Sequence, residues 1–288
     1  MLWRVLLPRC ALSVIALTLA GSSAAVAAPF AYVADRVGGV VSVIDRATHT
    51  VVKTIEVGPA PMATAVHPDG STVYVTIGPL REVAVIDAAT STVVRRIEVG
   101  DNPTGIDISP DGRMLYVVNT GDRTVSIIDT ASRTVSATVP VDNHPFAVVI
   151  HPGGRAVYVA GDYPGNVSVI NAATRTVVRT ISIGTSLGGM ALHPDGSRLY
   201  VADSGHDALV VLDTATLQTI RIVPVGRIPL GVAVHPDGTT VYVTNVLDEG
   251  FVSVVDTLAY AVIDTIRFPA PIQPQASRWT RAATICMP

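Results

Sequence analysis

The sequence predicts an all-β fold, a β-propeller of six recognisable 42-residue, four-stranded blades. Three observations predict it: the composition, a strict repeat, and the strand-and-turn pattern inside each repeat. The 288 residues are 49% hydrophobic, 15% charged and 5% aromatic, enough apolar material for a sizeable core. Val, Ile and Ala make up most of the apolar fraction, and 23 Gly and 20 Pro punctuate it. β-branched residues favour strands, and Gly and Pro favour turns.

Four markers carry the repeat in phase. The aromatic of a Tyr-Val pair recurs at Tyr32, Tyr74, Tyr116, Tyr158, Tyr200 and Tyr242, every 42 residues. A Pro-Asp-Gly turn keeps that spacing from Pro68, Pro110, Pro194 and Pro236, with Pro152-Gly153-Gly154 as a variant. Asp45, Asp87, Asp129, Asn171 and Asp213 form the third marker, followed by Asp256 after one inserted residue. Pro61, Pro103, Pro145, Pro229 and Pro271 form the fourth, with Leu187 filling the gap.

Each unit divides into four short strands. Strand A runs from the proline slot to the Pro-Asp-Gly turn, as in residues 62–66. There proline sets φ, Asp bonds locally and Gly takes φ > 0, so the chain reverses into strand B, residues 73–75. A variable loop leads to strand C (residues 83–87), an Asp-x-Ala-Thr turn follows, and strand D (residues 93–99) closes the unit. No segment sustains the 3.6-residue apolar spacing of a helical solenoid, so four strands per period read as a propeller blade. Two positions after the proline slot stand Ala63, Gly105, Ala147, Gly189 and Gly231. Glycine in a strand costs about 0.5–1 kcal/mol against alanine, so strand A is predicted to crowd around a central axis.

The boxes at residues 242–245 (Tyr-Val-Thr-Asn), 116–119 (Tyr-Val-Val-Asn), 32–35 and 200–203 (Tyr-Val-Ala-Asp) resemble the YVTN β-propeller repeat family. The flanking His-Pro-Asp-Gly and Val-Ser-Val-Ile-Asp segments resemble it too, and the likeness covers residues 30 to 271. NHL-type repeats are the nearest competitor and imply the same architecture. The resemblance implies a periplasmic or cell-surface protein, and commonly seven blades. Only six units are visible here, so either six blades close imperfectly or the rest of a seventh is lacking, and the expectation is a seven-blade-like ring that is incomplete at its seam.

The two ends read differently from the repeats. Residues 1–27 are predicted to be a secretory signal peptide: Arg4 and Arg9 precede an apolar stretch at 11–20, and Ala25-Val26-Ala27 fits a cleavage site. The repeats occupy residues 28–271. Cleavage leaves Cys286 as the sole cysteine and removes two of the 20 basic side chains against 23 acidic ones, a net charge of about −5. That balance disfavours nucleic-acid binding, which relies on Lys and Arg neutralising phosphates. The atypical tail, residues 272–288, lacks the small/apolar alternation of strand A, and Pro274 removes a strand donor.

His67, His151, His193 and His235 share the residue before the hairpin turn. Blade-equivalent positions lie around a wide circle and cannot converge on one ion, so they are predicted to cap the turns. Asp107 is the one charged residue among the small strand-A positions, and is predicted to face a hydrated axial channel. The D–A and B–C loops fall on one face of a propeller, and loops answer to partners. On that face the candidate ligand-binding residues are Arg81, Asn119, Asp122, His144, Tyr163, His206 and Arg227.

No G-x-S-x-G, H-E-x-x-H, Walker or C-x-x-C-H motif accompanies them, so neither a catalytic residue nor a cofactor is assigned. The function this supports is an exported binding or scaffold module for a protein, glycan or small ligand. Two alternatives stand beside it. One is a metal-assisted lactonase- or lyase-like enzyme using His144 or His206 as acid–base; the other is a domain that docks a redox partner.

Overall fold

A computed structural model of the chain describes residues 30–141, 144–247 and 250–268. The signal-peptide segment, the 272–288 tail and both cysteines lie outside them. The described residues form six antiparallel sheets, one per repeat. Blade 1 holds three strands, β1 (Phe30–Asp35), β2 (Val40–Asp45) and β3 (Thr50–Glu56). Blade 2 comprises β4 (Pro61–Val66), β5 (Thr72–Ile77), β6 (Glu82–Asp87) and β7 (Thr92–Glu98). Blade 3 follows with β8 (Pro103–Ile108), β9 (Met114–Asn119), β10 (Thr124–Asp129) and β11 (Thr134–Pro140). Blade 4 is β12 (Pro145–Ile150), β13 (Ala156–Gly161), β14 (Gly165–Asn171) and β15 (Thr176–Gly184). Blade 5 is β16 (Leu187–Leu192), β17 (Arg198–Asp203), β18 (Ala208–Asp213) and β19 (Thr219–Pro224). Blade 6 is β20 (Pro229–Val234), β21 (Thr240–Asn245), β22 (Phe251–Asp256) and β23 (Ala261–Arg267). The fold is a six-bladed propeller; among the described residues there is no seventh sheet.

Consecutive innermost strands β4, β8, β12, β16 and β20 lie side by side, which places them around a common axis. Their small residues are needed there. A Cβ added to Gly189 would stand 2.9 Å from the Leu230 carbonyl oxygen, so the neighbouring backbone occupies the space a side chain needs. Threonines tie the blades together, with Thr76 Oγ1 donating to the Thr104 carbonyl (2.8 Å) and Thr104 Oγ1 to that of Phe146 (3.1 Å).

The core lies between blades. Five apolar clusters each join two consecutive sheets, from blades 1–2 through 5–6. The repeat tyrosine of each blade packs against the next: Tyr32, Tyr74, Tyr116, Tyr158 and Tyr200 are at most 3% exposed. Tyr242 of blade 6 is only half-buried, as are Ala31, Val33 and Ile44 of blade 1, whereas Val73, Val75 and Ile86 are fully buried. Among the described residues, packing is weakest at the seam between the last and first blades.

Outer strands carry a free edge, a template for unwanted pairing. Each blade has a register shift between its two outermost strands, as at Val43/Ile44, Val85/Ile86 and Ile127/Ile128, which twists that edge. Long cations guard it and reach the neighbouring blade: Lys53 Nζ donates to the Thr90 carbonyl (3.2 Å) and Arg179 Nη1 to that of Thr216 (3.4 Å).

The histidines before the turns act within and between blades. His67 and His193 Nδ1 lie 2.7 Å from the carboxylates of Asp69 and Asp195, and His151 Nδ1 accepts from Gly153 N at 2.9 Å. His193 Nε2 also lies 3.2 Å from the Gly238 carbonyl of the next blade, a contact that local sequence does not reveal. Against desolvation, which alone raises it, hydrogen bonds from Ser197 and His193 and the nearby imidazole bring the Asp195 carboxyl down to about 2.

Candidate functional site

Backbone hydrogen bonds recurring through blades 3–6 on one side and blades 2–6 on the other define the two faces. Thr120, Asp162, Ser204 and Val246 N–H groups donate to the carbonyls of Asn102, His144, Ser186 and Ile228, binding each B–C loop to a D–A loop. On the opposite face Ala88, Thr130, Ala172, Thr214 and Thr257 N–H groups donate to carbonyls in the A–B turns. All seven candidate ligand residues therefore share the first face. They differ in what their side chains are doing.

Over blades 2 and 3 the candidates hold the loops in place. Arg81, left-handed at φ 57°, closes a 3₁₀ turn (Gly78–Leu80), and its Nε lies 3.0 Å from Asp101 Oδ1. Asp122 Oδ2 accepts from Asp101 N at 2.7 Å. Asn119, fully buried at the end of β9, donates from Nδ2 to Thr124 Oγ1 (3.0 Å) and Ser126 Oγ (2.8 Å), while its Oδ1 accepts from Gly100 N (3.2 Å). An open groove of about 470 Å³ runs past Asn119 and Asp122, whose polar atoms are bonded to Gly100, Asp101, Thr124 and Ser126. Because Asn119→Ala leaves Gly100 N and two hydroxyls without their partner, it is expected to cost about 2 kcal/mol in urea denaturation. That is more than an exposed binding residue would cost.

Over blades 4 to 6 the candidates are presented outward. Tyr163 is 70% exposed, and His144 and Arg227 are also exposed. His206 is 58% exposed, and its Nδ1 lies 2.6 Å from Oδ2 of the buried Asp203. Asp203 Oδ1 accepts from Gly205 N as well, so one buried carboxylate shapes the loop and sets the imidazole. The loops are joined in sequence: Ser186 Oγ donates to Asp162, Ser204 Oγ to the Ser186 carbonyl, and Ile228 N to Asp207 Oδ1 (2.8 Å). His144, Tyr163, His206 and Arg227 thus sit along one braced arc. Sequence reasoning missed Asp203 and Ser186 as the groups that brace it.

Asp107 lies on β8, apart from this arc, and remains partly exposed. Its Oδ1 accepts from Ile108 N (2.8 Å) and its Oδ2 from Ile150 N of blade 4 (2.9 Å), so the carboxylate bridges two blades. Desolvation between the strands raises its pKa to about 7 against the pull of those two N–H groups. Among the described residues no three His, Cys, Asp or Glu side chains converge as metal ligands would, and no helix is long and apolar enough to cross a membrane.

Comparison with known proteins agrees with the architecture. The YNCE-like beta-propeller family model matches residues 12–111. Among solved structures the chain is similar to Kuenenia stuttgartiensis hydrazine synthase, at 23% identity and a TM-score of 0.76 over 83% of each chain. That is a likeness of fold. None of the curated proteins compared with it matches. With six sheets around one axis and a family-model match over its first part, the chain is a six-bladed β-propeller similar to the YNCE-like family.

Proposed function

We propose that this propeller is an exported binding module whose loop face over blades 4–6 holds a protein or glycan ligand. The observation that carries the reading is the division of the loop face. Asn119 is buried and Arg81 and Asp122, though exposed, brace the loops over blades 2 and 3 through Asp101, while Tyr163, His144, His206 and Arg227 lie exposed together along the hydrogen-bonded loops over blades 4 to 6. Exposed Tyr and Arg on a rigid support suit recognition, because large contact areas form with little entropy left to lose. Export rests on the signal-peptide pattern of residues 1–27.

The test is a pull-down from the periplasm with wild-type protein and a Tyr163→Ala/His206→Ala/Arg227→Ala variant. Capture of the partner is expected to fall at least tenfold in the variant and to persist in Arg81→Ala. Equal capture by the triple variant would overturn the reading.

One observation favours a second reading. A histidine fixed through Nδ1 by a buried carboxylate is the arrangement that orients an imidazole for acid–base work. Lactone hydrolysis that disappears in His206→Ala would move the assignment to an enzyme.

A further inference from the structure

We propose that the furrow between the outer strands of blades 2 and 3 is a second binding site. It takes an extended peptide that carries an acidic and a basic side chain about three residues apart. The groove beside Asn119 and Asp122 does not end near the loop face. A further depression of about 250 Å³, flanked by Arg95, Arg96 and Arg133, continues from it, and the two share Glu98 and Val135. Together they run between β7 and β11, from the loop face to the C–D turns.

Two arginines on this furrow do not make the bonds that their equivalents make elsewhere. Lys53 and Arg179, which hold the Arg95 position in blades 1 and 4, each donate to a carbonyl 37 residues on, in the next blade. The same bond from Arg95 would reach the Ser132 carbonyl, and it is not formed. Arg175, one period after Arg133, donates back across 39 residues to the Ser136 carbonyl. Its counterpart from Arg133 would reach Val94, and it too is not formed. At the blade 5–6 interface Arg198 and Arg221 lie over the Tyr260 ring, at 5.5 and 5.8 Å. Among the described residues, blades 2 and 3 are thus the consecutive pair whose outer strands no cation bridges. Solvated arginines need no partner, so charge alone would say little. Two missing bridges at the one interface where a furrow opens say more.

The order of charge along the furrow identifies the occupant. Arg95 and Arg133 stand at its turn end, and paired guanidinium groups suit a carboxylate. Arg133 acts toward blade 2: the Asp87 carboxyl there is held below its ordinary value chiefly by hydrogen bonds from Thr90, with the Arg133 charge contributing. Arg96 is committed on its other side, to Glu82 (3.1 Å) and the Val57 carbonyl (2.9 Å). Toward the loop end the sign reverses at Glu98 and Asp122, and Glu98 has no partner among the described residues. Arg95 and Glu98 are three strand residues apart, about 10 Å. An acidic polysaccharide or a nucleic acid carries one sign of charge and would be repelled there. No aromatic ring lines the furrow for a sugar to stack on. An extended peptide supplies both signs at this spacing, and β7 and β11, outermost in their sheets, have backbone groups free to pair with it. The site is separate from the arc over blades 4–6 and does not depend on it.

The experiment selects a random octapeptide library displayed on phage against the full chain carrying Tyr163→Ala/His206→Ala/Arg227→Ala, so that the arc does not supply the binding. Recovered peptides are expected to place Asp or Glu about three positions from Lys or Arg. Binding of the dominant peptide, followed by fluorescence polarisation, is expected to weaken at least tenfold when Arg95→Gln/Arg133→Gln is added. Glu98→Lys is expected to redirect the selection to peptides that are acidic at both positions, a gain that misfolding cannot produce. Equal binding by Arg95→Gln/Arg133→Gln, or a selection that does not enrich both charges, would overturn the proposal. So would displacement of the peptide by alginate oligosaccharide at a lower concentration than by unlabelled peptide, which would assign the furrow to an acidic glycan.

Discussion

Gly105→Val, which places a branched side chain near the axis, is expected to lower stability by more than about 3 kcal/mol. A Cβ on Gly105 would meet the Phe146 carbonyl oxygen at 2.7 Å, Ala147 Cα at 3.1 Å and Val148 N at 3.2 Å. All three are backbone atoms of β12, so no rotamer change relieves the contact. Relief requires two blades to move apart, and a closed or nearly closed ring passes that movement to every other interface. Gly105→Ala is expected to cost about 1–3 kcal/mol by the same argument. Gly154→Ala is the informative control. Gly154 has φ +69° but nothing within 4 Å of an added Cβ, so only the left-handed backbone is penalised, at about 1 kcal/mol. In thermal unfolding, Gly105→Val should melt well below Gly154→Ala, since each kcal/mol moves a domain of this size by about 2–4 °C. Equal melting temperatures would show that the innermost strands are not crowded.

The contrast between those two glycines also shows what a repeat sequence makes legible. Gly154 belongs to a hairpin turn whose chemistry is local, and turn, strand and period were all readable because their partners lie within one unit. Gly105 was readable only as an unexplained small residue, because what excludes a side chain there is the next blade. The same limit hid the roles of Asp107 and His193, whose partners Ile150 and Gly238 lie 43 and 45 residues on. In a propeller these distances are one period plus a small offset, so a search at that separation would have found them. Asn119 could also have been foreseen as structural. It closes the Tyr-Val box, and Asp35, Asp203 and Asn245 hold the same slot in blades 1, 5 and 6. A polar residue at a repeated position answers to the blade before it answers to a ligand. His144, Tyr163 and Arg227 carry no such periodicity, and the fold leaves all three exposed.

Asp107→Ala should make the chain less sensitive to pH, and the sign follows from the direction of the shift. The unfolded carboxyl titrates near 3.9, whereas in the folded state burial raises it to about 7. The folded state therefore binds the proton more tightly, and stability from this group is full below about pH 4 and lost as pH rises through 7. Three pKa units correspond to at most about 4 kcal/mol, and water reaching the partly exposed side chain reduces that figure. Near pH 5 the wild type should be the more stable protein, because the alanine leaves Ile108 N and Ile150 N without the carboxyl oxygens. Near pH 8.5 the gap should close or reverse, since the wild type must then hold a desolvated charge. Ala65, Val149, Ala191 and Ala233 occupy this position in the other complete blades, so the ring does not require an acceptor there. Urea denaturation of both proteins at the two pH values isolates the term, because every other titrating group is common to both. A gap that stayed constant would mean that the ionised carboxylate is as well solvated between β8 and β12 as in the unfolded chain. The bridge between blades would then be an ordinary pair of hydrogen bonds rather than a charge held between strands.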